Sequence, residues 1–514
     1  MKKIKVVSNK ILIIFFIMIS VCFFMFFILQ IGNSGSYDIV EVSARNVLNG
    51  TFQKNFEKEF SERFPYKNKF ITLYNQIKYS IFSEASTGWI VGKNGYLFSQ
   101  PQSEKYCLGK NDSLDEKYEE YAKKVKVVQE ELKKEGKSCI YILTQAKAQI
   151  YPEQLPDSYQ VALKKNKNKR DTNYNKLKEA FEKYDVMYYD TEEDLKKIKQ
   201  GKYPVFCKTG HHWNVYSTAI VLKNIFKDME KRYKEKYPTI NVKSMLPGET
   251  YLDAEQDIMN LLNLITCKQD KIYYDPEIFY NYKSDKKVFL FGTSFGGQIV
   301  DALKYGQGAF ESTTYYSYLT TKIYTDMYKL ESSTFLEGEV LEDSEIWEDM
   351  LESDIIFMEQ QGILGILAPH EQFLDYVIDK FKNGDKRNLS TLVGEHWSEP
   401  EEWGRWSLGN DCTISLKQPW LNKDTTVLMK LNSYNEKRRV NIIANNKYIT
   451  SLEIEPQSKS FQITIPKRIV DSNDKIELKF EIEGNLYSPQ EIEKINATGP
   501  TRQLGIGLSE LIIK

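Results

Sequence analysis

Strand and helix patterns alternate from about residue 65 to residue 388, and this alternation constrains the fold of the 514-residue chain most strongly. It is typical of a mostly parallel sheet with helices on both faces, so we predict an α/β domain over residues 65–388. Ligands bind at the carboxyl ends of the strands in such sheets. The predicted strands lie at residues 139–144, 186–190, 203–206, 288–291 and 355–358, and helices at 114–136, 173–184, 216–233, 298–304 and 371–381.

The pattern changes after about residue 388. Helical periodicity fades, and short runs with alternating apolar and polar residues follow one another. We predict a β-sandwich over residues 389–514, a usual size for that fold. Its strand patterns lie at residues 426–431, 439–443, 460–465, 475–481 and 505–513.

Residues 11–30 form an uncharged apolar stretch. As a helix it would be about 30 Å long, enough to cross a bilayer core. Four lysines precede it, so the positive-inside rule predicts a cytosolic N-terminus and an extracytoplasmic remainder. We expect a single-pass protein of the cell membrane, with a tail and anchor at residues 1–33 and a linker at 34–64. A cleaved signal peptide is the alternative, although its apolar region is usually only ~7–15 residues long.

Composition bears on several function classes. A net charge of −1 gives a nucleic-acid partner no electrostatic support. The six cysteines are scattered and form no CxxC pair, so neither a zinc site nor a disulfide framework is predicted. We predict no metal and no cofactor.

Ser294 lies in the segment FGTSFGG, which follows the predicted strand at 288–291. A serine on a strand-to-helix turn is exposed at the sheet edge beside the backbone N–H groups of the helix start. Ser294 is therefore a candidate nucleophile, with the N–H groups of Ser294 and Phe295 as candidate oxyanion donors. The alternative is a purely structural turn.

A serine nucleophile needs a base, usually histidine. His211 and His212 are adjacent in the segment CKTGHHWN, after the predicted strand at 203–206 and at the start of a predicted helix. That position is also a strand's carboxyl end. The alternative is a structural histidine pair packed beside Trp213, and a metal site would need a third ligand that the spacing does not supply.

The segment GHHWN at 210–214, followed by GTSF at 292–295, resembles the SGNH-hydrolase-like domain of the alginate O-acetylation proteins and their relatives, including the DHHW proteins. Further similar segments in the same order are VGKNGYLF at 91–98, Lys147 with IYPE at 150–153, DIM at 257–259 and residues 354–359. The resemblance covers roughly residues 60–385. It implies a three-layer α/β/α domain with Ser294 as nucleophile, His212 as base and His211 in a variable position.

The chain departs from the family pattern at Gly210, where the family has the acid of its triad. In a protease triad, loss of the acid costs about 10⁴ in rate. Three outcomes are open: a Ser294–His212 dyad, another carboxylate such as Glu359 or Asp301 in place of the acid, or an inactive site that only binds polysaccharide. We expect a functional serine–histidine site.

The resemblance implies an extracytoplasmic O-acetyltransferase that acetylates a cell-surface or secreted polysaccharide through an acyl-serine intermediate. It also implies a multi-span membrane O-acyltransferase as the acetyl donor. The alternatives are a carbohydrate acetylesterase, if water accepts the acetyl group, and a non-catalytic glycan-binding or assembly protein.

The predicted β-sandwich begins with an aromatic cluster between residues 397 and 407. With the segment 504–508 it resembles a module attached to bacterial surface-polysaccharide enzymes. Exposed tryptophan faces stack on sugar rings, and an arginine can bind hydroxyls or carboxylates. The alternative is a structural cluster that closes one end of the sandwich. The candidate glycan-binding residues are Trp397, Trp403, Arg405 and Trp406.

Overall fold

In the computed structural model, the chain forms two compact units. One unit comprises Met1–Val91 with Asp257–Lys268, and the other comprises Gly92–Gln256 with Gln269–Lys514. The predicted domain boundaries at residues 33, 64 and 388 stay predictions. The described residues are 17–18, 20–21, 43–63, 67–86, 88–166, 172–248, 253–267, 273–326, 330–334, 341, 345–417, 423–470, 475–493 and 502–514.

The described part of the first unit is mainly helical. Ser43 caps its first helix by accepting a hydrogen bond from the Asn46 N–H at 3.2 Å. Asn75 donates to the Leu262 carbonyl at 2.9 Å, which fastens the segment after residue 256 to this unit. The elements are α1 (Ala44–Leu48), α2 (Thr51–Arg63), α3 (Lys67–Ile77), which continues as a π-helical turn (Lys78–Phe82), and β1 (Trp89–Val91).

The predicted membrane span at residues 11–30 lies almost wholly outside the described residues. Among the segments that the structure does describe, none forms a helix both long and apolar enough to cross a bilayer.

The second unit begins with the α/β region. Its strands are β2 (Leu97–Ser99), β3 (Ser138–Thr144), β4 (Tyr188–Asp190), β5 (Ile240–Gly248), β6 (Tyr273–Tyr280), β7 (Lys287–Gly292), β8 (Ser312–Ser317), β9 (Thr321–Asp326), β10 (Leu330–Thr334) and β11 (Ile355–Gln361). Its helices are α4 (Gln100–Leu108), α5 (Asp115–Lys134), α6 (Lys147–Ile150), α7 (Asp157–Lys165), α8 (Asn173–Lys183), α9 (Glu192–Lys199) and α10 (Val215–Tyr233). They continue with α11 (Asp253–Leu261), whose residues from Asp257 onward are assigned to the first unit, α12 (Gly296–Lys304), α13 (Glu345–Glu352) and α14 (Ala368–Asn383).

The central sheet of the α/β region is mixed. In its described part the strand order is β10-β9-β8-β7-β11-β3-β4. The strands from β8 to β4 are parallel to their neighbours, whereas β9 and β10 add an antiparallel edge. The prediction of a mostly parallel sheet therefore needs correction at this edge, because β8 turns directly into β9 through a tight hairpin and not through a crossover helix.

Helices cover both faces of the sheet. On one face α5, α8, α13 and α14 pack on alternate residues of the strands, so that Cys139, Tyr141 and Leu143 of β3 enter one core cluster. On the other face α10 places Phe226 in stacking contact with Phe357 of β11, at 6.4 Å between ring centroids. This arrangement leaves the carboxyl ends of β3, β7, β8 and β11 along a single edge.

One local expectation is wrong. Residues 203–206 form no strand. Only an isolated bridge joins Phe206 to Trp213, because the chain folds back there as a compact loop.

The C-terminal part of the second unit is rich in strands, as predicted. Two antiparallel sheets, β12-β20-β15-β18 with β13 beside β20, and β14-β19-β16-β17, share one core. Alternate residues of β15 are buried, the pattern of a strand with one face on a core. The strands are β12 (Asp385–Lys386), β13 (Arg405–Leu408), β14 (Asp411–Lys417), β15 (Thr425–Ser433), β16 (Arg438–Ala444), β17 (Lys447–Ile454), β18 (Lys459–Ile465), β19 (Lys475–Ile482) and β20 (Leu504–Ile513), with one short helix, α15 (Pro489–Glu493).

Candidate active site

Ser294 lies on the turn between β7 and α12, and its side chain is exposed. Two glycines make this turn possible. A Cβ at Gly292 would lie 2.9 Å from the Glu359 side chain, and one at Gly296 would lie 2.8 Å from the ring of Tyr315. The hydroxyl of Tyr315 also donates to the Thr293 carbonyl. Close packing against β11 and β8 therefore holds Ser294 at the edge of the sheet.

The loop at residues 207–212, here called the His loop, carries His211 and His212. Gly210 lies against the segment that begins α11, where a Cβ would be 2.6 Å from the Ala254 carbonyl oxygen and 2.8 Å from that of Glu255. Thr209 donates to the Glu255 carbonyl at 3.0 Å. The backbone of residues 254–255 thus occupies the space that an aspartate at position 210 would need.

Lys147 holds the His loop from the opposite side. Its ammonium group is buried and donates to the carbonyls of Cys207 (2.6 Å), Lys208 (2.8 Å) and Gly210 (2.8 Å). The rings of Tyr96 and Phe98 lie 5.3 and 5.5 Å from the ammonium nitrogen, in the range of cation–π contacts. Lys147 therefore adds a donor to three carbonyls of an irregular segment, of which the Lys208 carbonyl also accepts from the Leu97 N–H of β2.

Trp213 joins the His loop to the Ser294 turn. Its buried indole N–H donates to the Phe295 carbonyl at 3.0 Å. The Phe295 ring lies 4.9 Å from the His212 imidazole and 5.6 Å from that of His211, centroid to centroid. These contacts fix the orientation of both imidazoles relative to the turn that carries the serine.

The two segments bring His212 Nε2 to 2.8 Å from Ser294 Oγ. This distance lies within the 2.6–3.2 Å range expected of a nucleophile and its base. When the serine hydroxyl donates to a neutral imidazole, Nε2 is the acceptor and is ready to take the proton. The geometry is that of an activated serine at the carboxyl edge of an α/β sheet.

Neither predicted substitute for the acid touches His212. Glu359 lies beneath the Ser294 turn, where its carboxylate accepts hydrogen bonds from the Thr144 hydroxyl (2.5 Å), the Thr293 N–H (2.9 Å) and the Thr293 hydroxyl (2.8 Å). Burial raises the pKa of Glu359 to about 7, although these three donors oppose the shift. Asp301 pairs instead with Lys304, one turn along α12, at 2.6 Å.

His211 points to a different set of side chains. The Gln102 amide approaches its Nε2 at 3.5 Å and donates to the Gln361 side chain at 2.7 Å. Its ring meets His212 edge to face at 5.1 Å. His211 thus supports the base through ring packing, while Gln102 links it to the end of β11.

One of the predicted oxyanion donors is engaged elsewhere. The Phe295 N–H is directed at the Thr293 hydroxyl oxygen, at 3.3 Å within the same turn. The role of the Ser294 N–H as an oxyanion donor stays a prediction. Thr293 was missed in the sequence, although its place directly before the serine in GTSF was the available signal.

The candidate glycan-binding residues divide into two pairs. Trp397 is buried, donates to the Thr413 carbonyl at 2.8 Å and packs on Phe480 of the core. Arg405 donates from Nε to the Ser398 carbonyl at 2.7 Å, and from Nη1 to two further carbonyls in residues 389–392. Both residues therefore have structural partners, and their role as sugar ligands stays a prediction.

Trp403 and Trp406 lie at the surface. Their rings meet edge to face at 4.9 Å, and Trp406 meets Tyr434 in the same way at 5.5 Å. Trp403 is 39% exposed, so part of its ring surface is open to solvent. We call Trp403, Trp406 and Tyr434 the aromatic ledge.

Metal-ligand geometry is not found in the described segments, where no cluster of three or more His, Cys, Asp and Glu side chains is arranged to hold an ion. No disulfide joins the described cysteines, which are Cys107, Cys139, Cys207, Cys267 and Cys412.

The fold and the site together define an α/β domain with a paired serine and histidine at the carboxyl edge of its sheet. Residues 90–300 match the family model of the SGNH hydrolase-like domain of acetyltransferase AlgX. The resemblance seen in the sequence is therefore confirmed over this segment, which includes both His212 and Ser294.

Curated relatives are similar over part of their length. The chain is 25% identical over 175 residues to the probable alginate O-acetylase AlgJ of Azotobacter vinelandii, which is 34% of this chain and 42% of that protein. It is 26% identical over 181 residues to the protein of the same name from Pseudomonas fluorescens, which is 35% of this chain and 43% of that protein. The chain thus spans less than half the length of these relatives.

Solved structures are less similar to this chain in sequence. Pseudomonas aeruginosa AlgX is 12% identical with a TM-score of 0.39, covering 83% of this chain and 94% of that chain. The O-acetyltransferase domain of Pseudomonas putida AlgJ is 17% identical with a TM-score of 0.31, covering 58% and 86%. Scores this low bear on neither fold nor function.

Proposed function

We propose that this chain is an O-acetyltransferase that transfers acetyl groups to a polysaccharide through an acyl-serine intermediate. The observation that carries the proposal is the 2.8 Å contact between His212 Nε2 and Ser294 Oγ. It lies within the segment that matches the SGNH hydrolase-like acetyltransferase domain. The similarity to probable alginate O-acetylases supports a polysaccharide as the acceptor.

The first half-reaction loads the enzyme. His212 Nε2 takes the proton from Ser294 as Oγ attacks the carbonyl carbon of the donor's acetyl group. The bond to the donor's leaving group then breaks, and His212 returns the proton to that group. Acetyl-Ser294 remains, while the Ser294 N–H stabilises the negative charge on the carbonyl oxygen during the step.

The second half-reaction transfers the acetyl group from Ser294 to the acceptor. A sugar hydroxyl gives its proton to His212 and attacks the carbonyl carbon of acetyl-Ser294. The Oγ–carbon bond breaks, and His212 returns the proton to Oγ. The product is an acetylated sugar, and the enzyme is regenerated. If water attacks instead, the same residues make an acetylesterase, which is the alternative activity.

The membrane location of the chain and the identity of its acetyl donor are part of the same proposal. The uncharged stretch at residues 11–30, after four lysines, supports a single membrane anchor with the active site outside the cytosol. Acetyl groups outside the cytosol then require delivery across the membrane. We propose a multi-span membrane O-acyltransferase as the donor.

The C-terminal strand-rich region is proposed to bind the acceptor as a β-sandwich glycan module. The aromatic ledge supports this role, because partly exposed indole faces stack on sugar rings. A non-catalytic glycan-binding protein, the second candidate function, would keep the ledge without turnover at Ser294.

Hydrolysis of a fluorogenic acetyl ester by the full chain tests the proposal. Ser294→Ala and His212→Ala should each lower kcat/KM by about 10³-fold or more, because each removes a member of one acting unit. A parallel reaction with a panel of neutral and uronic-acid oligosaccharides, read by mass spectrometry, should show sugar acetylation that depends on Ser294. Equal ester turnover in all three proteins would exclude catalysis at this site and favour the glycan-binding alternative.

A further inference from the structure

Helix α3 and the π-helical turn that follows it present an apolar face to solvent. Leu73, Tyr74, Ile77 and Ile81 recur three or four residues apart, so they lie along one side of the helix. All four are exposed, with Tyr74 at 61% and Ile81 at 70%. A helix of a globular domain normally turns such a face toward a core. An exposed apolar surface of this kind marks a site of interaction with a protein or a membrane.

The polar side of α3 is the side that the first unit holds. At about 100° per residue, Asn75 and Gln76 lie opposite the apolar face. Besides the bond from Asn75 to the Leu262 carbonyl, the Gln76 amide donates to the Thr266 carbonyl at 3.0 Å. Its oxygen accepts from the N–H groups of Ile265 (2.8 Å) and Thr266 (3.0 Å). These four hydrogen bonds orient the helix so that its apolar face points outward.

The segment that carries the apolar face is basic. Residues 67–82 contain Lys67, Lys69 and Lys78 but no aspartate or glutamate, and the first acidic residue after them is Glu84, 3.4 Å from Lys78. Helices with lysines and an apolar, aromatic face lie in the plane of a bilayer surface. Their apolar side chains enter the boundary of the acyl chains, and their lysines attract anionic headgroups. The charge of the segment therefore favours a lipid surface as the occupant.

The proposed membrane anchor precedes α3 in the first unit, which begins at Met1. Residues 31–66 separate the apolar stretch at 11–30 from the helix, and even fully extended they would reach only about 120 Å. An anchor at 11–30 keeps α3 at a high effective concentration beside the bilayer. Weak binding of one helix to the lipid surface is then enough to hold it there.

We propose that the apolar face of α3 binds the extracytoplasmic surface of the membrane. In this arrangement Leu73, Tyr74, Ile77 and Ile81 enter the boundary of the acyl chains, and the lysines of residues 67–82 lie among anionic headgroups. The inference rests on the proposed membrane location of the chain and not on acetyl transfer at Ser294.

Photo-crosslinking of the full chain tests this surface. The photoreactive amino acid p-benzoylphenylalanine is placed at position 74, and the chain is reconstituted in vesicles of phosphatidylglycerol and phosphatidylcholine. After irradiation, mass spectrometry should find lipid adducts on the peptide that contains position 74. The same amino acid at position 448, an exposed tyrosine on β17, is the matched control. It should give at least about tenfold fewer lipid adducts, since burial of one aromatic ring favours the bound state by that factor or more.

A second probe at position 81 keeps the test decisive if substitution at position 74 prevents folding. Lipid adducts at position 81 should fall about tenfold when Leu73→Gln and Ile77→Gln are combined, because both substitutions remove apolar surface from the same face. Unchanged adducts in that double variant would contradict the inference. Crosslinks to a second copy or within the chain in place of lipid, or equal lipid adducts at position 448, would overturn it.

Flotation of the vesicles separates the two levels of failure. A chain that does not float with the vesicles would refute both the proposed membrane location and this inference. A chain that floats but forms no lipid adducts at positions 74 and 81 would refute this inference alone. Hydrolysis of the acetyl ester by the same vesicles reports on the proposed catalysis independently.

Discussion

At the scale of single residues, steric contacts explain why position 210 carries glycine and not the acid of the family's triad. The backbone of residues 254–255 fills the space where a side chain at this position would extend. The sequence revealed the missing acid but gave no sign of its cause, because that contact joins segments more than forty residues apart.

Gly210→Asp should therefore not raise kcat/KM, although it restores the acid of the family pattern. We expect it to destabilise the fold by about 1–3 kcal/mol, because a Cβ at 2.6 Å from a carbonyl oxygen forces backbone movement. Chemical unfolding measures the stability, and kcat/KM for the acetyl ester measures the effect on the His loop. Gly210→Ala should share the loss, whereas Gly297→Ala, where a Cβ meets nothing within 4 Å, should be nearly neutral. Higher turnover in Gly210→Asp would contradict the steric account.

Glu359 predicts a specific dependence of stability on pH. Burial raises its pKa from 4.5 in the unfolded chain to about 7 in the folded protein, so the folded state binds the extra proton between these values. Its contribution to stability is fully present below about pH 4.5 and is lost as pH rises through about 7, by roughly 3 kcal/mol. Urea unfolding across this range should show the decline in the wild type. Glu359→Gln should flatten it, and an equally steep decline in that variant would refute the assignment.

At the scale of elements, the sequence predicts most of the strands and helices near the site, but it does not predict which side chains contact one another. Buried strands such as β3, β7 and β11 were found because runs of apolar residues end at turn residues. The predicted strand at residues 203–206 is wrong because Asn214 and Lys147 hold the carbonyls of Pro204 and Cys207 in a compact fold-back that forms no ladder. Glu359 lies within β11, one residue beyond the predicted strand, and only the structure shows that it faces Thr144 and Thr293.

The His loop should depend on Lys147. Lys147→Met keeps most of the buried stem but removes three hydrogen bonds to loop carbonyls, two of which keep a backbone donor, and the loss should cost about 1–3 kcal/mol. Lys147→Arg retains donors and charge, so it should recover part of the loss. The measurements are the free energy of unfolding and kcat for the acetyl ester. Equal stability of the methionine variant and the wild type would show that the ammonium group does not hold the loop.

At the scale of the whole molecule, acetyl transfer and polysaccharide binding are proposed for different regions of the second unit. The α/β region holds Ser294 and His212, and the strand-rich region holds the aromatic ledge. The change of period near residue 388 predicted this division from sequence. Which tryptophans are exposed could not be predicted, because burial of Trp397 depends on the packing of two sheets.

Trp403→Ala should separate the two activities. It removes an exposed ring of the ledge, so affinity for the acceptor polysaccharide should fall about three- to tenfold. Hydrolysis of a small acetyl ester should stay at the wild-type rate. Tyr448→Ala removes an exposed aromatic ring from β17 and serves as the control. Unchanged polysaccharide binding in Trp403→Ala would rule out the ledge as the sugar site.

The central claim is that Ser294 carries the acetyl group. Peptide mass spectrometry after rapid acid quenching of the full chain with an activated acetyl ester tests it most directly. The account predicts one added acetyl group on the peptide that contains Ser294, which disappears when an acceptor sugar is added before the quench and which never forms in His212→Ala. Turnover of the ester with no acetyl group on that peptide, or equal labelling in His212→Ala, would contradict it.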